Sequence, residues 1–501
     1  MVSRRFVLKA GVAAAAGLAI PLYRGGELLA RPAVGKFQQA LPIPPLLEGV
    51  MRDGKRVFDL SLQRGRHVFF PGVRTPSAGI NGDYLGPIIR VRNGEAVRLN
   101  VTNNMSEDST LHWHGVHLPA KMDGGPHQVI GVGETWSPEF TIRQPASTQW
   151  YHSHRYHRTA IQVYYGLAGL FYIDDDAADD LGLPSTHGVD DIPLVLQDRA
   201  FNADGTFSYR QSMHDRMNGM RGDVMLVNGA PFPVHEVLRR RLRLRILNGS
   251  NARIYNLEFS DGRAMRQIAT DGGLLAAPVT LRSLRLAPGE RAEVVVEFEP
   301  GDEVVLRHKP LPQTGRRGGG MRMGMMGRMM GGGDDRPFDI MQFRADSPEA
   351  AGGVLPDRLI APRQWAPEQA ARTRKMVLDM RMGPAMMRGG GFTINGKAMD
   401  IDRIDERIPL GDVEIWEIRN DSPMPHPFHI HDIQFRILSR DGQPPPLNER
   451  GLKDTVLVES GETVKIITRF ENYADPNNPY MFHCHILEHE DAGMMGQFVV
   501  V

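Results

Sequence analysis

Arg241-Leu242-Arg243-Leu244-Arg245-Ile246 alternates polar and apolar residues without a break. A period of two predicts a half-buried β-strand, with one face in a core and the other in solvent. Parts of Val413 to Ile418 repeat the pattern. Both runs lie inside a longer, loose repeat: INGDYLGPIIRVRNGEAVRLNVTNN from Ile80, VNGAPFPVHEVLRRRLRLRILNGS from Val227, and INGKAMDIDRIDERIPLGDVEIWEIRND from Ile394. Each copy has Asn-Gly, a Pro-containing or polar approach, an alternating strand and a closing Asn. Helical periodicity is scarce, while Gly and Pro fall at the spacing of sandwich turns. The pattern predicts an all-β chain of three Greek-key β-sandwiches. Two breaks separate them, the acidic, turn-rich Asp174 to Asp191 and the Pro-, Ala- and Gly-rich Ala345 to Ala371. The predicted modules are 40–175, 188–345 and 372–501.

Apolar residues make up 41% of the chain of 501, enough for several cores. Lys plus Arg and Asp plus Glu balance at 59 each, so no net field favours nucleic acid or an anionic membrane surface. Ahead of the first module, Arg4 and Arg5 precede an apolar run from Gly11 to Ile20. This predicts a twin-arginine signal peptide over residues 1–33, cleavage near Ala30 to Ala33, passage through the twin-arginine machinery and a periplasmic product. The run is too short for a membrane span of about 20 residues, so no stable insertion is expected after processing.

A single cysteine, Cys484, lies between His483 and His485. It excludes an internal disulfide, although exported proteins can form them. Three more His-x-His pairs occur, His112/His114, His152/His154 and His429/His431, with His426, His489 and Met494 close by. On strands, residues i and i+2 share a face and i+1 points the other way. His483 and His485 should then aim at one centre and Cys484 at another. One thiolate, two imidazoles and a weak axial thioether form a blue-copper set, supplied by Cys484, His426, His489 and Met494. The eight histidines of the pairs suffice for three further copper ions, with open positions for dioxygen. One such pair alone is more often a solvated or satisfied pair on a strand. Structural zinc usually draws on several cysteines, and a cupin-like iron site on one His-x-His cluster. The middle module holds only scattered His187, His214, His235 and His308, so the pairs must meet between the first and last modules.

The segments HWHG at 112–115, WYHSH at 150–154, HPFHIH at 426–431 and HCHILEHEDAGMM at 483–495 resemble the multicopper oxidases, in family order. The resemblance covers nearly everything after the leader and implies that the sandwiches are cupredoxin domains. It implies a type 2 copper on His112 and His429, one type 3 copper on His114, His152 and His485, and another on His154, His431 and His483. Electrons would arrive at the Cys484 copper, pass through its backbone to the flanking histidines, and reduce dioxygen to two waters. Asp123 matches the family's acidic residue near the type 2 copper. Glu490 matches a proton-relay position in the cuprous-oxidase branch. His117 and His157 fit no ligand position.

Methionine is the second unusual signal. Six of the ten residues from Met321 to Met330 are Met, framed by Gly-Gly-Gly on both sides. Met376, Met380, Met382, Met386 and Met387 follow, and Met424 precedes His426 by two residues. Thioether prefers Cu(I), although Met also fills apolar gaps. Met424, Asp421, Met380 and Met382 are the candidate Cu(I) contacts. Ser422 stands where the family has an acidic residue, with Asp421 one position further off. The expected activity is oxidation of Cu(I) to Cu(II) coupled to dioxygen reduction, in copper tolerance. Oxidation of phenols, as in laccases, is the alternative. Some exported relatives keep the fold without copper and act as structural partners in cell division, which is the non-enzyme alternative.

Overall fold

A computed structural model describes residues 36–210, 212–310, 336–350, 353–380 and 391–501. The predicted leader, Met321 to Met330, Met382, Met386 and Met387 lie outside these residues. Six β-sheets pair into three sandwiches. In the first, strands Lys55–Phe70 and Ala96–Asn104 belong to one sheet, and Ile88–Arg92, Ala168–Asp174 and Ser147–His152 to the other. Phe58, Leu60, Ile89 and Phe171 meet between them. In the second, Ile192, Leu194 and Leu244 of one sheet bury against Tyr255, Leu257 and Leu306 of the other. The third closes over Leu378, Trp416, Phe428 and Phe482. The strand Val413–Asn420 alternates in burial almost residue by residue, as its sequence predicts.

The strand Arg241–Asn248 corrects the expectation of a half-solvated ribbon. It is covered on both faces, and Arg245 retains 2% of its accessibility. It lies inside a seven-stranded sheet, and the first module covers its polar face. The Arg245 guanidinium stacks 4.3 Å from the Tyr172 ring and pairs with Asp191 at 2.7 Å and Glu293 at 3.3 Å. Glu293 also accepts from Thr148 of the first module at 2.7 Å. Burial would raise the Glu293 carboxyl, but Arg243 and Arg245 hold it down at about 2. Alternation therefore marked the register of this strand, while a buried charged joint replaced the solvent.

The chain meets the second sandwich before the first. Leu41 donates its N–H to Val234 O at 2.7 Å and lies in the second core. No helix among the described residues is long and apolar enough to cross a membrane.

Candidate metal centre

Strand pairing brings the histidine motifs together. His112 and His152 face each other in an antiparallel bridge of the first sandwich. In the third, the strand His426–Ile430 runs antiparallel to Asp475–Cys484, with Phe428 opposite Cys484 and His429 opposite His483. The pleat then separates the two centres. Cys484 turns into the third core, which also holds Met424 and Met494, while His483 and His485 turn toward the first sandwich.

Three triads form the resulting cluster, each with ligand atoms within 4.8 Å of one another: His112/His114/His429, His114/His152/His485 and His154/His431/His483. Every one of these rings is buried. Four outer nitrogens face backbone carbonyls: His112 Nδ1 donates to Asp123 O at 2.9 Å, His152 Nδ1 to Ser153 O at 2.8 Å, His429 Nδ1 to Asp454 O at 2.8 Å and His483 Nδ1 to Cys484 O at 3.1 Å. A carbonyl can only accept, so each ring proton is fixed outward and a lone pair remains inward. The carboxylate of Asp123 takes His431 Nδ1 at 2.7 Å, and that of Asp454 takes His114 Nε2 at 3.0 Å. Glu490 places one oxygen 3.3 Å from His154 Nδ1 and the other 3.3 Å from His483 Nδ1.

The inner nitrogens lack protein partners. His112 Nε2, His114 Nδ1, His152 Nε2, His429 Nε2 and both nitrogens of His485 are buried without a hydrogen bond. His483 Nε2 stands 3.2 Å from His154 Nε2 and 3.3 Å from His431 Nε2. Converging lone pairs of this kind need cations between them, and the donor set fits imidazole-binding copper. Burial, followed by repulsion among the rings, holds His114, His152, His154, His429, His431 and His485 well below the usual imidazole range. Burial lowers His483 to about 3. Neutral imidazole is the ligating form.

The second centre lies in the third core. Cys484 Sγ is 3.3 Å from His426 Nδ1 and 3.7 Å from His489 Nδ1. His426 Nε2 donates to Ser422 Oγ at 2.7 Å, and His489 Nε2 to Met217 O at 3.0 Å. Burial pushes the thiol pKa up, so a thiolate here requires a metal ion to displace its proton. Met494, fully buried in the same core, returns its carbonyl to Cys484 N at 3.0 Å.

Three family profiles described as Multicopper oxidase match residues 62–178, 172–306 and 370–501. The chain belongs to the multicopper oxidase family. It is 36% identical over 99% of its length to a cell division protein FtsP of Salmonella typhimurium, covering 98% of that protein. It is 35% identical to the multicopper oxidase mco of Staphylococcus haemolyticus, over 89% of each chain. The laccase-like multicopper oxidase CueO of Ochrobactrum sp., described as having oxidase activity towards lignin model compounds and lignosulfonate, is 41% identical. It aligns with a TM-score of 0.81 over 92% of this chain and 100% of its own.

This multicopper oxidase does not bring all predicted positions together. Asp421 is half-exposed and pairs with Arg419 at 2.6 Å. Met424 and Met380 retain 5% and 6% of their accessibility in the third core, and neither lies open to solvent. His157 is exposed and donates its Nδ1 proton to Asp491 O, apart from both centres. Two groups escaped the sequence reading. Asp454 carries only a weak signal, a charged Lys453-Asp454 step ahead of the strand Thr455–Val458. The Met217 carbonyl carries none, because a backbone acceptor from a distant module has no residue type.

Proposed function

We propose that the protein is an exported, periplasmic oxidase that binds four copper ions and couples oxidation of Cu(I) to reduction of dioxygen to water. One ion would rest on Cys484, His426, His489 and Met494, and another on His112 and His429. The remaining two would rest on His114/His152/His485 and His154/His431/His483. The observation that carries this reading is the set of buried inner nitrogens without partners. A copper-free structural role would leave each of them at a cost of about 1–3 kcal/mol. Copper bound there would pass electrons singly from the Cys484 centre to dioxygen. The protein's own share is to hold the rings, exclude water and supply protons. Burial, reinforced by Asp491, raises the Glu490 carboxyl well above its ordinary range, which keeps a proton beside His154 Nδ1. Asp123 is a further carboxyl group at the cluster, 2.7 Å from His431 Nδ1.

Cu(I) as substrate is supported by the thioether-rich sequence and by the place of Met424 beside the Cys484 centre. Phenol oxidation is the second reading. It is favoured by the burial of Met424 and Met380, by the Arg419 partner of Asp421, and by the activity described for the Ochrobactrum relative. Steady-state kinetics on Cu(I) and on a simple phenol separate the two. Deleting residues 321–330, or Met424→Leu, should raise KM for Cu(I) and spare the phenol. Unchanged Cu(I) kinetics in both variants, with good phenol turnover, would replace the first reading by the second.

A further inference from the structure

The middle sandwich supplies no side-chain ligand to either centre, yet one of its turns reaches the histidine cluster from behind. Gly289 adopts φ +84°, and a Cβ added there would lie 2.8 Å from the His485 ring. Two residues on, Arg291 is fully buried and grips both oxygens of Asp454, at 2.7 Å from Nη1 and 2.6 Å from Nη2. Asp454 in turn takes the Nε2 proton of His114. The same guanidinium donates from Nε to Thr148 O at 3.0 Å and from Nη2 to Gln149 Oε1. Thr148 and Gln149 belong to the strand Ser147–His152, which ends on His152. The contacts through the Asp454 carboxylate, the strand and Gly289 therefore meet at His114, His152 and His485, which form one triad, while the Asp454 backbone carbonyl separately takes His429 Nδ1 at 2.8 Å. The triad His154/His431/His483 receives no contact of this kind from the turn. It leans on Asp123 and Glu490 instead.

We propose that the turn at residues 289–291 is a positioning element for one metal position, that of His114, His152 and His485. It rests on the copper reading above and adds a role for the module that holds no ligands. Arg291 fixes the Asp454 carboxylate in a two-point fork, and that carboxylate fixes the tautomer and tilt of His114. Lysine cannot form the fork, because its single ammonium offers no planar pair of donors. Gly289 lets the backbone approach His485 where any side chain would push the ring aside. Its positive φ is a second reason for glycine there.

The test uses the full chain loaded with copper, with copper per chain, blue absorbance per chain and oxygen uptake measured together. Arg291→Lys should lower copper by one ion per chain, leave the blue absorbance in place, and cut oxygen uptake about ten- to hundred-fold. Gly289→Ala reaches the same position through His485 and should give the same selective loss, so it decides the matter if Arg291→Lys does not fold. Tyr84→Phe is the control, because it removes a 2.9 Å hydrogen bond to Gln197 between the first two modules without touching the turn. It should keep its full copper. Unchanged copper and uptake in both turn variants would overturn the proposal. So would loss of copper and blue absorbance in step with loss of folded protein, since that describes a docking contact. A wild-type chain that takes up no copper fails earlier, at the copper reading itself.

Discussion

The Cys484 centre and the histidine cluster share a strand but differ in what touches their outer nitrogens. At the Cys484 centre those partners are neutral, a hydroxyl on His426 and a backbone carbonyl on His489. At the cluster, Asp123, Asp454 and Glu490 all reach ring nitrogens. Neutral partners leave a one-electron step without a proton to match it. Carboxylates beside the cluster can accept or release protons as charge changes there. On the function proposed above, the pleat of one strand, turning Cys484 one way and its neighbours the other, would divide electron uptake from proton-consuming chemistry.

The sharpest way to break this division is Cys484→Ser. A hydroxyl cannot replace the soft thiolate, so the blue absorption and dioxygen reduction should both vanish while copper on the cluster remains. A blue, active variant would remove the basis of the comparison. Next in size is Glu490→Gln, expected to slow oxygen uptake about ten- to hundred-fold and leave the blue band unchanged. Its pH profile carries the stronger information. The Glu490 carboxyl is raised, so in the wild type its proton is present at low pH and lost as pH climbs through the raised value. The wild-type rate should fall along that limb, and the limb should be missing from the glutamine variant. The smallest effect is expected from Ser422→Ala, which deletes the acceptor of His426 Nε2. A hydrogen bond of about 1 kcal/mol converts to a shift of about 40 mV in the potential of the Cys484 centre. That potential should stay flat between about pH 5 and 8 in both forms, where an acidic partner would make it slope.

The candidate ligands that the structure brings together were legible because their pattern is local. His-x-His spacing, the histidines flanking Cys484 and the methionine at 494 are fixed by chain order, and a strand's period of two turns that order into two opposed faces. The all-β architecture followed from the same alternation. Spacing left the sharing of the eight rings open; the tertiary structure brings together the same two type 3 groups that the family resemblance implied, although His114 and His485 lie on different sandwiches and no periodicity relates them. It also decided the fate of polar residues. Arg243 and Arg245 alternate like solvent-facing residues, yet both are buried: Glu293 and Asp191 of their own sheet pair with them, and Tyr172 and Thr148 of the first module cover Arg245. Asp454, Arg291 and the Met217 carbonyl gain their roles only through contacts made far apart in sequence. A metal ligand is a property of a residue type, whereas a positioning group is a property of where a folded chain brings an ordinary donor or acceptor.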